Sequence, residues 1–99
     1  MNVRVIERAQ RQAERIDRWW RANRKAAPDQ FAQEFFAARQ RIAEMPEFGR
    51  PYAVRKGVVV RRLLVGGTKN YVYYEIDHVH DEAIILAVWG APRGKGPKL

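Results

Sequence analysis

Apolar residues in the first half of the chain recur every three or four positions, whereas in the second half they alternate or run together. The first pattern is that of one helix face and the second that of strands, so the chain reads as helices followed by a sheet. Over residues 7–23, Ile6, Ala9, Ala13, Ile16 and Trp20 form a single stripe. Arg8, Arg11, Arg15 and Arg18 fall largely on the other faces. Asn23 suits the end of that helix, because asparagine tolerates left-handed backbone geometry. A second helix is predicted from about Pro28, where a missing N–H costs nothing in the first turn. Asp29 favours the positive end of its dipole. Phe31, Phe35, Ala38, Ile42 and Met45 supply its stripe, and Pro46 stops it. The short join makes the pair an antiparallel helical hairpin. Ahead of them, Val3 and Val5 alternate with polar residues, which fits a first strand or the frayed start of the first helix.

Residues 47–56 read as a connection, punctuated by Gly49 and Pro51. Three strands are predicted after it, over residues 57–65, 71–77 and 83–89. The joins between them are too short for a parallel return, which needs about a dozen residues, so the three form an antiparallel meander. Its apolar face needs a cover, and the helical stripes provide one. The expected fold is α+β, a two-helix hairpin packed on an antiparallel β-sheet in the order β-α-α-β-β-β. In the last strand Ile84, Leu86 and Val88 should share one face, and Ile85, Ala87 and Trp89 the other. Both faces are apolar, which places this strand centrally, its second side covered by this chain or by a partner.

Composition narrows the class. Ninety-nine residues make a single domain, and 46% apolar content excludes wholesale disorder. No apolar run reaches the roughly 18 residues of a membrane helix. Residues 1–15 carry four arginines and no apolar core of a secretory signal, so a cytoplasmic location is expected. With no cysteine, disulfides, thiolate catalysis and cysteine metal sites are excluded. The formal net charge of +8 favours a polyanionic partner: nucleic acid, the ribosome or an acidic protein. Residues 90–99 form a basic, Gly/Pro-rich tail that cannot be a regular helix. It reads as a flexible arm meeting a target, or as an unstructured terminus.

Candidate chemistry centres on cations. Arg61, Arg62, Arg93, Lys56 and Lys69 are candidate phosphate holders, since fixed positive groups stabilise charge on phosphoryl oxygens. Lys95 adds to the basic tail. Arg61 and Arg62 are neighbours on a strand and so point to opposite faces, Arg62 with Val60 and Leu64, Arg61 with Val59 and Leu63. The bland alternative pairs one of them with Glu34 or Glu75 and leaves the other in water. Tyr71, Tyr73 and Tyr74, with Trp89, offer rings for base stacking, or simply pack the sheet. Trp19 and Trp20 lie about 100° apart on a helix, so one belongs to the core and the other is an exposed anchor. Glu44 and Glu47 are conceivable bases, with nothing to place either beside the arginines. His78 and His80 share a turn; two ligands fall short of a zinc site. Gly66 and Gly67 supply a turn and not a phosphate loop. No metal or cofactor is implied.

The order of elements, together with local text, resembles the RelE/ParE toxin superfamily of type II toxin–antitoxin systems over nearly the whole chain. Trp19-Trp20-Arg21-Ala22-Asn23-Arg24-Lys25-Ala26-Ala27 looks like the family's helix junction. Met45-Pro46-Glu47-Phe48-Gly49-Arg50-Pro51 looks like its exit from the second helix. Val60-Arg61-Arg62-Leu63 and Tyr71-Val72-Tyr73-Tyr74-Glu75-Ile76-Asp77 look like its first hairpin, and residues 84–89 with Arg93 like its last strand. The resemblance implies a toxin silenced by a cognate antitoxin that lays a segment across it. RelE-like members cut messenger RNA on the ribosome; ParE-like members poison DNA gyrase. The helix junction and Phe48-Gly49-Arg50-Pro51 look closer to ParE. Tyr71 stands where RelE-like nucleases carry a strand arginine, and residues 90–99 hold neither His nor Tyr. A gyrase-directed binding toxin is therefore expected, with Arg61, Arg62 and Arg93 as main contacts and Lys56, Lys69, Tyr71, Trp89 and Lys95 as supporting ones. The alternatives are a ribosome-dependent mRNA endonuclease and a non-toxic basic binding module. A homodimer and a heterotetramer with the antitoxin both fit this reading.

Overall fold

The two apolar stripes become the inner faces of α1 (Glu7–Asn23) and α2 (Gln30–Glu44) in the computed structural model, which describes residues 1–90 and 96–99. Both helices lie on one face of a five-stranded sheet. Its strands are β1 (Asn2–Val5), β2 (Arg50–Arg55), β3 (Val58–Val65), β4 (Asn70–Asp77) and β5 (Glu82–Gly90), in the order β1-β5-β4-β3-β2. β1 runs parallel to β5 and the other neighbours are antiparallel. The strand reading of the first residues therefore holds over the frayed-helix one.

Two features differ from expectation. Residues 50–55 are not a connection but the edge strand β2, so the meander has four strands. Pro51 argues against a strand only where its missing N–H would break a ladder; on an edge, beside a bulge between Pro51 and Ala53, it costs nothing. The hairpin into β3 closes on Lys56 (φ 53°) and Gly57 (φ 77°), the two left-handed positions that a two-residue turn with the right twist requires. The second difference is a bulge in β5. Tyr73 faces Ala87 and Tyr74 faces Ile85, which leaves Leu86 without a partner. Alternation slips by one residue there. Ala83, Ile85 and Val88 face the helices, while Ile84, Leu86, Ala87 and Trp89 belong to the opposite side. The predicted grouping of Val88 with Ile84 and Leu86 is thereby corrected.

The main core joins Ala9 and Ala13 of α1 and Phe31, Phe35, Ala38 and Ile42 of α2 to Val65, Val72, Tyr74, Ile85 and Val88 of the sheet. Met45, expected to end the α2 stripe, is 52% exposed because the helix stops one residue earlier. Trp20 packs on the core and Trp19 is 49% exposed, as the angular argument requires.

One polar junction fastens α2 to the sheet. The fully buried Tyr74 donates its hydroxyl proton to Pro46 O at 2.7 Å and accepts from Gly49 N–H at 2.8 Å. A Cβ on residue 49 would sit 2.5 Å from that hydroxyl, so glycine is needed for the close approach. Burial raises the pKa of Tyr74. A phenol with a raised folded-state pKa contributes stability in full below about pH 10 and loses it as pH climbs through the folded value. Tyr74→Phe should cost about 1–3 kcal/mol, by stranding a buried donor and acceptor. It should also flatten the fall in stability above pH 10. Urea denaturation of both proteins at neutral and alkaline pH measures the two effects.

Candidate functional site

The sheet face turned away from the helices carries the cationic and aromatic side chains together. Residues directly opposite in an antiparallel ladder share a face. Arg62 lies opposite Tyr73, which lies opposite Ala87; Leu64 lies opposite Tyr71, which lies opposite Trp89. The floor of this face is a second cluster of Val60, Tyr73, Leu86 and Ala87. The β5 bulge makes that floor, since it turns Leu86 and Ala87 the same way.

Arg62 is held in an aromatic clamp. Its guanidinium carbon is 4.1 Å from the Tyr71 ring centroid and 4.9 Å from that of Tyr52. Tyr73 joins the two, 5.0 Å from Tyr52 and 6.0 Å from Tyr71 between centroids. Stacking of this kind fixes the direction of the cation, and a hydrogen bond to the Tyr73 side chain takes up part of its donor capacity. Burial raises the pKa of Tyr73, and the neighbouring Arg62 works against that shift. At neutral pH the phenol keeps its proton and is not a base. Carboxylates on this face are already engaged: Glu75 by Arg55 at 3.4 Å, Asp77 by His80 at 2.7 Å, Glu82 by Arg4 at 3.2 Å.

Arg61 points the other way, toward the helices. It donates to Gly49 O at 2.8 Å and Glu47 O at 3.3 Å, bracing the segment that Tyr74 anchors. The alternative pairing of Arg61 or Arg62 with Glu34 or Glu75 is not formed among the described residues. Glu34 instead accepts from the Thr68 N–H and hydroxyl, both at 3.0 Å.

Comparison with protein families matches residues 3–93 to the ParE toxin of the type II toxin–antitoxin system, parDE. The chain belongs to the ParE toxin family. A comparison with curated proteins returns no match.

In this ParE-family toxin the predicted site residues separate into groups. Arg62 and Tyr71 meet in the clamp, whereas Arg61 braces the carbonyls of Glu47 and Gly49. Lys69 and Trp89 lie beyond one end of the clamp face, where both border a crevice against α1. Lys56 occupies the β2–β3 turn, at the end of β3 away from Lys69. Arg93 and Lys95 lie outside the described residues. His78 and His80 sit exposed in the β4–β5 turn, and Asp77 fastens that turn by accepting from the N–H groups of Val79 and His80. Sequence reasoning missed Tyr52, because residues 50–55 looked like a loop. Its signal was the alternation of Tyr52 and Val54 just before Lys56-Gly57, which sits awkwardly with a strand only on account of Pro51.

Denaturation also separates the two neighbouring arginines of the toxin. Arg61→Ala strands the carbonyl of the buried Gly49 and should cost about 1–3 kcal/mol. Arg62→Ala loses only a half-exposed stack and should cost about 1 kcal/mol or less. The reverse order in urea midpoints would show that Arg62 is the structural residue.

Proposed function

We propose that this toxin arrests growth by binding DNA gyrase through the outer sheet face, with Arg62 as its central contact, and that its antitoxin silences it by covering that face and the adjoining β3 edge. The observation that carries the reading is the Arg62 clamp. It presents a fixed cation with no free base beside it among the described residues. RNA cleavage by internal transfer needs a group to take the 2′-hydroxyl proton, and such a group contributes about 10²–10⁴-fold. Near Arg62 the groups at hand are phenols, one with a raised pKa, and carboxylates committed to ion pairs. This arrangement suits holding an anionic or planar surface and is poorly equipped for chemistry.

The same face explains why an antitoxin is needed to cover it. β2 pairs with β3 only as far as Arg62, so Leu63–Val65 has a free backbone edge. Leu64 (49% exposed) and Phe48 (47% exposed) flank that edge. An extended partner segment adds a strand to such an edge and places alternate side chains in the flanking pockets. Gyrase and this toxin then meet in the cytoplasm; among the described residues no helix is long and apolar enough to cross a membrane.

The test is a supercoiling assay with purified gyrase, run beside a primer-extension assay for cuts in ribosome-bound mRNA. The toxin should inhibit supercoiling, and Arg62→Ala should weaken inhibition about tenfold or more, the effect of losing roughly 1.4 kcal/mol of contact. Codon-positioned mRNA cuts with untouched supercoiling would replace the reading with a ribosome-dependent nuclease. Expression without the antitoxin that leaves growth unaffected would leave only a basic binding module.

A further inference from the structure

A crevice of about 520 Å³ lies between the C-terminal half of α1, the β3–β4 turn and the end of β5. Trp19 and Trp20 line it from α1, and Trp89 borders it at the end of β5. Arg15, Arg24 and Lys69 line it as well, and no carboxylate does. Among the described residues none of these three cations is ion-paired. Concentrating uncompensated positive charge around indole rings is unfavourable for the free protein and favourable for an anion.

The walls are built to hold their positions. Arg15 and Trp19 are four apart on α1 and so share a face. Arg24 lies over both neighbouring indoles, 5.2 Å from the Trp19 centroid and 5.7 Å from that of Trp20. Lys69 adopts a left-handed backbone, φ 56°, in the β3–β4 turn. Glu34 of α2 holds the preceding residue through its two bonds to Thr68. At the other end Gln12 accepts from Val88 N–H at 2.9 Å and ties α1 to β5. The crevice is thus bounded along α1 by Gln12 and Arg24, about 18 Å of helix.

We propose that this crevice binds a nucleoside 5′-phosphate, its base against the indoles and its phosphate at the cationic rim. The volume falls in the range of small-ligand pockets, about 300–1,000 Å³. Aromatic rings take any planar base, and each stacked base raises affinity roughly tenfold. Arginine and lysine supply charge-assisted bonds to phosphate. A bare phosphate leaves the indoles unused, and a nucleoside leaves three cations unused. This site is separate from the outer-face clamp, and its failure would leave the gyrase reading standing.

Because Trp19 and Trp20 line the crevice and Trp89 borders it, intrinsic fluorescence of the whole chain reports on it. Adenosine 5′-monophosphate should quench it saturably with Kd below about 1 mM, and adenosine or inorganic phosphate should each bind about tenfold more weakly or worse. The double variant Arg15→Gln, Lys69→Gln should lose about tenfold for the monophosphate and nothing for adenosine, with far-UV circular dichroism confirming the fold. Arg24→Gln provides a second, independent variant with the same expected direction. Three results overturn the proposal. One is the absence of saturation by any of the four common monophosphates at about 10 mM. Another is equal affinity for adenosine and its monophosphate. The third is an acidic peptide such as Glu-Trp-Glu that displaces the nucleotide and binds about tenfold more tightly.

Discussion

The Tyr74 hydroxyl is the point on which the outer face depends. It is buried, and it answers one acceptor and one donor from the turn that leaves α2. Arg61 braces the same turn from beside it through the carbonyls of Glu47 and Gly49. Together they set where the chain re-enters the sheet, and hence the register of β2 on β3. Tyr52 stands over Arg62 only because that register is fixed. A buried polar group is costly unless every partner is present, so such a junction has one good geometry and few tolerable neighbours. The specificity of the clamp is inherited from a hydrogen-bonded corner on the opposite side of the sheet.

Much of this fold was legible in the sequence, for identifiable reasons. The helices were read correctly because Phe31, Phe35, Ala38 and Ile42 recur at a period that nothing else produces, and all four are buried. The last three strands followed from short joins. What was hidden were departures from period. β2 is short, interrupted by Pro51 and almost wholly exposed, so packing left little mark on it beyond the alternation of Tyr52 and Val54. The bulge at Leu86 has no local signature, because Ile85, Leu86 and Ala87 are apolar whichever way they point. That bulge decides which side chains floor the functional face. It arises from how β5 fits β4, a tertiary fact that periodicity does not contain.

The candidate site was legible in part, and the limit is again physical. Stereochemistry shows that Arg61 and Arg62 must diverge, and it does not show which of them meets water. That is settled by Gly49 and Glu47, more than ten residues away, which offer carbonyls to Arg61 alone. The tryptophan crevice draws on α1, the β3–β4 turn and β5, elements distant along the chain. Its tryptophans were visible as an exposed anchor and a ring for stacking, but their convergence was not.

The distribution of charge ties these observations together. With 19 basic and 11 acidic side chains, some cations must lack partners. They are not spread evenly. The ion pairs lie along the helix surfaces, in Arg11–Glu7 and Arg21–Asp17, and across the sheet, in Arg4–Glu82 and Arg55–Glu75. Arg62 and Arg24 stand over aromatic rings, without a carboxylate partner among the described residues. An aromatic face holds a guanidinium in place without neutralising it, whereas a carboxylate would do both. A surface whose cations are ordered by rings stays rigid and positive. Such a surface repels itself in the free state and gains most when an anionic or acidic partner arrives.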